Sequence, residues 1–182
     1  MNLNELEKII NESFEKKDKV NTNSDKSIIN AINELKDQFP DLIYLIAGKG
    51  PYLNNIKSYV EKLNLQQYIL FLGWITEPEK SLILKNSDIF AMTPITSGES
   101  VEGFGMAFID AAFHGIASIG SDDGGIKDAI IDGKTGILCE ANNQSDISSK
   151  LKILIEDKKL RIELGNNGKK IAEEKFSWKI KV

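Results

Sequence analysis

Cysteine and histidine are nearly absent from this sequence, with one of each, Cys139 and His114, among 182 residues. A single cysteine closes no intramolecular disulfide, and one cysteine with one histidine leaves too few ligands for a His/Cys zinc site. A reducing compartment suits that usage. Long apolar runs are missing too. None approaches the roughly 20 residues that cross a bilayer, and the opening MNLNELEKII is acidic and amphipathic, unlike a secretory signal. The expectation is a cytoplasmic protein without a transmembrane segment, for which a peripheral visit to a membrane stays compatible. Nor is there a basic excess: 23 basic residues stand against 27 acidic, a net charge of -4. Sequence-independent nucleic-acid binding relies on such an excess, so nucleic acid is set aside as a partner.

What is present suits a buried core. Apolar residues make up 41% and charged residues 27%, and the length fits one globular domain at roughly 150 residues per domain. Leu3, Leu6, Ile10 and Phe14 recur at helical spacing to about Lys16. The stretch KKDKVNTNSDK that follows, Lys16 to Lys26, has no period and reads as a polar linker. The chain thus reads as an amphipathic helix and linker over 1–26, followed by a domain over 27–182.

Beyond the linker, helical segments alternate with short apolar runs. Ile28 to Leu35 marks a helix, LIYLIA (Leu42 to Ala47) a buried strand, and Leu53 to Leu63 a helix. YILFL (Tyr68 to Leu72) is a strand, Thr76 opens a short helix with Glu79 in its first turn, and DIFAM (Asp88 to Met92) is a strand. Gly103 to His114 reads as a helix closed by Gly115, ASIG (Ala117 to Gly120) and Gly136 to Cys139 as strands, and the segment from about Ser145 as C-terminal helices. Apolar strands separated by helices predict a doubly wound α/β domain with a parallel sheet. In such a sheet the ligand crevice lies beyond the carboxyl ends of the strands.

Four loops at those ends are rich in glycine. Gly48-Lys49-Gly50-Pro51 follows a strand and precedes a helix, but Leu53 stands where a dinucleotide fingerprint has its third glycine, and no GK[ST] is present. Ser97 to Gly105 (SGESVEGFG) enters a helix through two glycines, which sets Glu102 beside unpaired N–H groups at the positive end of a helix dipole. Asp110 stands eight residues after Glu102. On a continuous helix the two lie about 80° apart in azimuth and about 12 Å apart in rise, too far for a catalytic dyad but suited to anchoring one extended polar ligand. SDDGG at 121–125 joins a strand to a helix, and DGKTG at 132–136 reads as a structural turn. His114 reads as a helix-end or core residue, Cys139 as a small core hydrophobe, and Trp74 and Trp178 as packing residues.

Taken in order, PDLIYLIAGKGP, ILFLGWI, SDIFAMTP, ESVEGFGMAFIDAAFHG, SDDGGIKDAIIDGKTGIL, LGNNGKK and FSW resemble the C-terminal, donor-binding half of a retaining GT-B glycosyltransferase of the family 4, or group 1, type. The resemblance runs from about Ile28 to Val182. It implies one half of a GT-B fold, a single Rossmann-like doubly wound sheet with a helical C-terminus. It also implies transfer of a hexosyl group from a nucleoside diphosphate sugar, GDP-mannose by a slight preference of SVEGFG, with anomeric configuration retained. Neither a metal nor a cofactor other than that donor substrate is implied. Glu102 is the implied catalytic residue. Gly103, Phe104 and Gly105 would hold the sugar and diphosphate, Asp110 the ribose hydroxyls, Gly73 and Ile75 the base, and Gly50 would approach the phosphates.

The sequence departs from that pattern in three places. Asp110 replaces the second glutamate of the family's E-x7-E pair and is one methylene shorter. Asn23 stands where the family has a diphosphate-binding lysine, and no arginine precedes Arg161. The acceptor-binding half is missing from these residues, so an acceptor domain or partner chain is expected. Two readings follow: the donor half of a transferase, or a truncated non-catalytic relative acting as a nucleotide-sugar-binding or interaction module.

Overall fold

A computed structural model describes residues 26–94 and 104–176. The amphipathic stripe from Leu3 to Phe14, Glu102, Gly103 and Trp178 lie outside the described residues. The element order is α1 (Lys26–Leu35), β1 (Tyr44–Ala47), α2 (Leu53–Lys62), β2 (Ile69–Gly73), α3 (Glu77–Lys85), β3 (Ile89–Met92), α4 (Met106–Phe113), β4 (Ala117–Ser121), α5 (Ile126–Ala129), β5 (Gly136–Cys139), α6 (Gln144–Glu156) and α7 (Lys158–Phe176). Every strand pairing is parallel. This is the expected α/β alternation. The described residues fall into two compact units, one over 32–80, the other over 26–31 and 81–176.

In the first unit β1 pairs with β2, Tyr44 opposite Ile69 and Ala47 opposite Gly73. The sequence suggests a buried strand at LIYLIA, yet β1 is half-buried, Ala47 is exposed, and Ile43 beside it is 42% exposed. The physical reason is its position: among the described residues β1 has a strand on one side only. β2 is better covered, with Ile69 and Leu72 buried. Ile56 and Val60, four apart on α2, are also buried.

In the second unit the strand order is β3-β4-β5, with Ile89 opposite Ala117 and Ser118 opposite Gly136. The central strand β4 is buried along its whole length. Phe108 of α4, Ile126 of α5 and Ile130 form a core cluster against it, and Phe90 meets Phe108 edge to face at 5.2 Å. Burying each such side chain contributes on the order of 1.5–3 kcal/mol. Gly120 makes room for them: a Cβ there would lie 2.9 Å from both Ile126 and Ile130. On α7, Gly165 lets the helix cross the backbone before β4, because a Cβ would stand 2.1 Å from the Gly115 carbonyl oxygen.

Helix ends follow their local chemistry. Thr76 and Glu79 form a capping box at α3, with the Thr76 N–H and hydroxyl donating to Glu79 Oε2 at 2.6 and 2.7 Å. Asn143 caps α6 by accepting from the Asp146 N–H at 3.1 Å. Gly115, at φ 75°, ends α4: its N–H reaches the Ala112 carbonyl, and that of Ile116 reaches Ala111. The other end of α4 begins later than Gly103. Gly105 takes a left-handed φ of 74°, so the helix starts at Met106.

Candidate functional site

Because all pairings are parallel, the carboxyl ends of the strands share one edge within each unit. In the first unit that edge carries the loops after Ala47 and Gly73. The two loops are joined by the Gly48 N–H, which donates to the Gly73 carbonyl. Gly48 (φ 130°) and Gly73 (φ 65°) both take backbone conformations that side chains disfavour. The Gly50 carbonyl accepts from the Leu53 N–H at 3.1 Å as the chain turns into α2. No side chain caps α2 at Tyr52. Ile75 is half-buried. Trp74, read from the sequence as a packing residue, is instead 39% exposed, because it follows the turn at Gly73 instead of lying in the strand.

In the second unit the same edge carries the loops after Met92, Ser121 and Cys139. The buried Ser121 hydroxyl donates to the Pro94 carbonyl and ties the ends of β4 and β3 together. Phe104 and Gly105 lead into α4, and no side chain caps that helix. A Cβ on Gly105 would meet Phe108 at 2.8 Å, so the tight entry excludes any larger residue on two counts, space and φ. The Phe104 ring lies 5.5 Å from that of Phe176 at the end of α7, edge to face. Met106, the first residue of α4, is 61% exposed. Asp110 is half-buried on the second turn of α4.

The remaining loops have structural partners. Asp122 donates its N–H to the Cys139 carbonyl and pairs through its carboxylate with Lys127. In the turn at 132–136, Asp132 accepts from the Leu138 N–H and Thr135 from the Ile131 N–H, both at 2.8 Å, as the sequence reading of a structural turn has it. Cys139 is buried and donates to the Gly120 carbonyl. Arg161, the chain's single arginine, spends its guanidinium on the end of α6, donating to the Leu154 and Ile155 carbonyls at 2.7 Å each. It is therefore bound up in the fold.

A cavity of about 180 Å³ opens between α4, α5 and α7, walled by Phe108, Ile130, Ala172 and Phe176 with Lys127 and Lys175 beside them. None of the site residues inferred from sequence lines it. Two features of this unit carried little sequence signal. One is the Gly165–Gly168 face of α7, readable only as two small residues three apart. The other is a bridge from His114 to Ser81 across 33 positions.

Residues 24–171 match the family described as glycosyl transferases group 1, which is most of the chain. The chain belongs to the group 1 glycosyl transferases. Among its relatives in this glycosyl transferase family is the GDP-mannose-dependent alpha-(1-6)-phosphatidylinositol monomannoside mannosyltransferase of Mycolicibacterium smegmatis. That enzyme is 27% identical over 154 residues, covering 84% of this chain and 40% of the relative. The C-terminal domain of the group 1 glycosyl transferase LpcC from Francisella tularensis superimposes with a TM-score of 0.71 at 25% identity, over 84% of this chain and 79% of that domain. Anabaena HepE, solved with UDP and glucose, superimposes with a TM-score of 0.73 at 19% identity, over 83% of this chain and 40% of HepE. That likeness is one of fold. This glycosyl transferase chain thus has the Rossmann-like fold of one GT-B half, the C-terminal one, and spans about 40% of the length of the curated relatives it matches. No described helix is long and apolar enough to cross a membrane.

Proposed function

We propose that the chain is the donor-binding part of a retaining glycosyltransferase and holds a nucleoside diphosphate sugar. The observation that carries this reading is the left-handed Gly105 at the head of α4, where backbone turns tightly into a helix that no side chain caps. An anion there is stabilised by the helix start, by about 0.3–1 kcal/mol at an exposed site. In this reading the amides from Gly103 to Gly105 face the diphosphate, Glu102 holds the transferred sugar, and Asp110 accepts from the ribose hydroxyls. Gly50 approaches the phosphates in its own loop, and the turn from Gly73 to Ile75 offers backbone to the base.

Catalysis then consists of stabilising the departing diphosphate as the bond from the anomeric carbon to its oxygen breaks and the acceptor hydroxyl bonds to that carbon on the same face. Its proton leaves with the diphosphate. No metal ion is called for. The acceptor is held by a second part of the enzyme, on the same chain or another. With Arg161 committed to α6, diphosphate affinity depends on backbone amides more than on a guanidinium, which favours modest binding. The Mycolicibacterium smegmatis relative supports GDP-mannose as donor, while UDP in the HepE structure supports testing a uridine donor as well.

The test is calorimetric titration with GDP, UDP, ADP and their sugars. Binding in the micromolar range to one of them, lost in Asp110→Ala and in Glu102→Ala, is the expected result. Folded protein that binds none of them overturns the donor reading and leaves an interaction module built on the same fold.

A further inference from the structure

We propose that His114, oriented by Ser81, is a positioning residue for Asp110; the inference rests on the donor-binding reading of Asp110 above. His114 sits at the end of α4 with both ring nitrogens engaged. Its backbone N–H donates to the Ala111 carbonyl at 3.0 Å, tightening the last turn. Helical periodicity would have paired that N–H with the Asp110 carbonyl. The Asp110 carbonyl is met instead by the His114 ring, with Nδ1 at 2.7 Å. A carbonyl only accepts, so Nδ1 carries the proton. In the neutral ring Nε2 is then an acceptor, and it faces the Ser81 hydroxyl on α3 at 2.8 Å.

Closing a helix end takes one such bond, and Gly115 already supplies its own closing bonds. The second bond does something else: it ties α4 to α3 one turn beyond Asp110. An apolar contact joins the same two helices, since Leu84 of α3, Ala111 of α4 and Ile116 form one buried cluster. Polar and apolar ties together set the rotation of α4 about its axis. That rotation decides where the half-buried Asp110 carboxylate points. A ring flip would break both bonds at once, so Ser81 keeps Nδ1 turned toward Asp110.

The experiment compares four variants of the full chain by titration with GDP, and with UDP as second probe, alongside thermal melts followed by circular dichroism. In His114→Asn the side-chain amide nitrogen falls near the place of Nδ1 and retains the bond to the Asp110 carbonyl. In His114→Gln it falls near Nε2 and retains only the contact with Ser81. The expected result is affinity within about twofold of the parent for His114→Gln, which keeps the tie to α3, and a loss of roughly three- to tenfold for His114→Asn, His114→Ala and Ser81→Ala, which lose it. Variants that melt lower but bind the nucleotide as the parent does overturn the positioning role and leave His114 a cap. Equal weakening in the Asn and Gln variants overturns it too. If His114→Ala fails to fold, the Asn, Gln and Ser81 variants carry the comparison. Parent protein that binds none of GDP, UDP, ADP and their sugars overturns the donor reading itself, an outcome distinct from bound parent with unaffected variants.

Discussion

The rings of Phe104 and Phe176 meet edge to face with centroids 5.5 Å apart, joining the entry to α4 to the last residue of α7. The backbone of Phe104 belongs to the proposed donor loop, while its side chain is spent on packing. Such pairs contribute about 0.5–1.5 kcal/mol beyond buried area. Phe104→Leu and Phe176→Leu should therefore each destabilise the fold, with a coupling of about 1 kcal/mol in a double-mutant cycle read by urea unfolding. Additive effects would show that the two rings do not hold each other.

Gly165 and Gly168 lie three residues apart on α7 and should respond to alanine with opposite signs. At Gly165 the new Cβ lands 2.1 Å from a backbone oxygen that cannot move aside. At Gly168 the nearest atom is 3.5 Å away, ordinary contact. Gly168→Ala should gain about 0.5–1 kcal/mol from helix propensity, whereas Gly165→Ala should lose about 2 kcal/mol or more through overpacking. Chemical denaturation measures both. A neutral Gly165→Ala would mean that α7 does not cross at that distance.

Asp146 predicts a pH dependence. Burial pushes its carboxyl up, but the Glu140 N–H at 2.7 Å and the Lys150 ammonium at 2.9 Å outweigh that and hold it below its ordinary value. A depressed carboxyl adds stability above the pKa of the unfolded chain, and that contribution is lost as pH falls through the folded-state value. The stability advantage of the parent over Asp146→Asn should be full near about pH 6 and shrink steadily below about pH 4. Denaturant midpoints of both proteins across that range decide it. A difference that stays constant with pH would assign the contribution of Asp146 to capping geometry instead of charge.

Arg161 should matter for stability and not for nucleotide affinity. Removing it strips two carbonyls at the end of α6 of a charged donor, at a cost of about 1–3 kcal/mol. Its contact with Asp88, which is 79% exposed, adds little. Arg161→Met should lower the melting temperature while leaving the GDP or UDP dissociation constant unchanged, and Asp88→Ala should change neither. Weaker nucleotide binding in a folded Arg161→Met protein would overturn this and give the arginine a part in donor binding.

Much of the fold is legible in the amino acids because its signals are local. Thr76 followed by Glu79 marks a helix start, Gly115 after an apolar helix marks a stop, and the strands at 89–92 and 136–139 are short apolar runs between turn residues. The burial of Cys139 follows from its place in such a run. Less legible was how far each strand is covered. YLIA of β1 and IFAM of β3 are as apolar as strands get, yet both are half-buried, because burial depends on neighbours the run itself does not name. The exposure of Trp74 is of the same kind: a one-residue displacement past the Gly73 turn takes an indole out of the strand. For the site, the glycine loops after β1 and β4 follow the carboxyl ends of those strands, where the sequence placed them. Glu102 and Gly103, outside the described residues, are carried by the family pattern alone.

Periodicity, capping residues and glycine spacing determined by themselves the alternation of helices and strands and the parallel sheet, because each depends on residues within a turn or two of one another, whereas the family came from the resemblance of the ordered motifs along the chain. Only the folded chain decided that Arg161 serves α6, that Gly165 passes within contact of the Gly115 carbonyl, and that His114 reaches Ser81. Those partners lie from six to fifty residues away along the chain. A side chain's chemistry states what it can bond, and tertiary packing selects which of the possible partners is within reach.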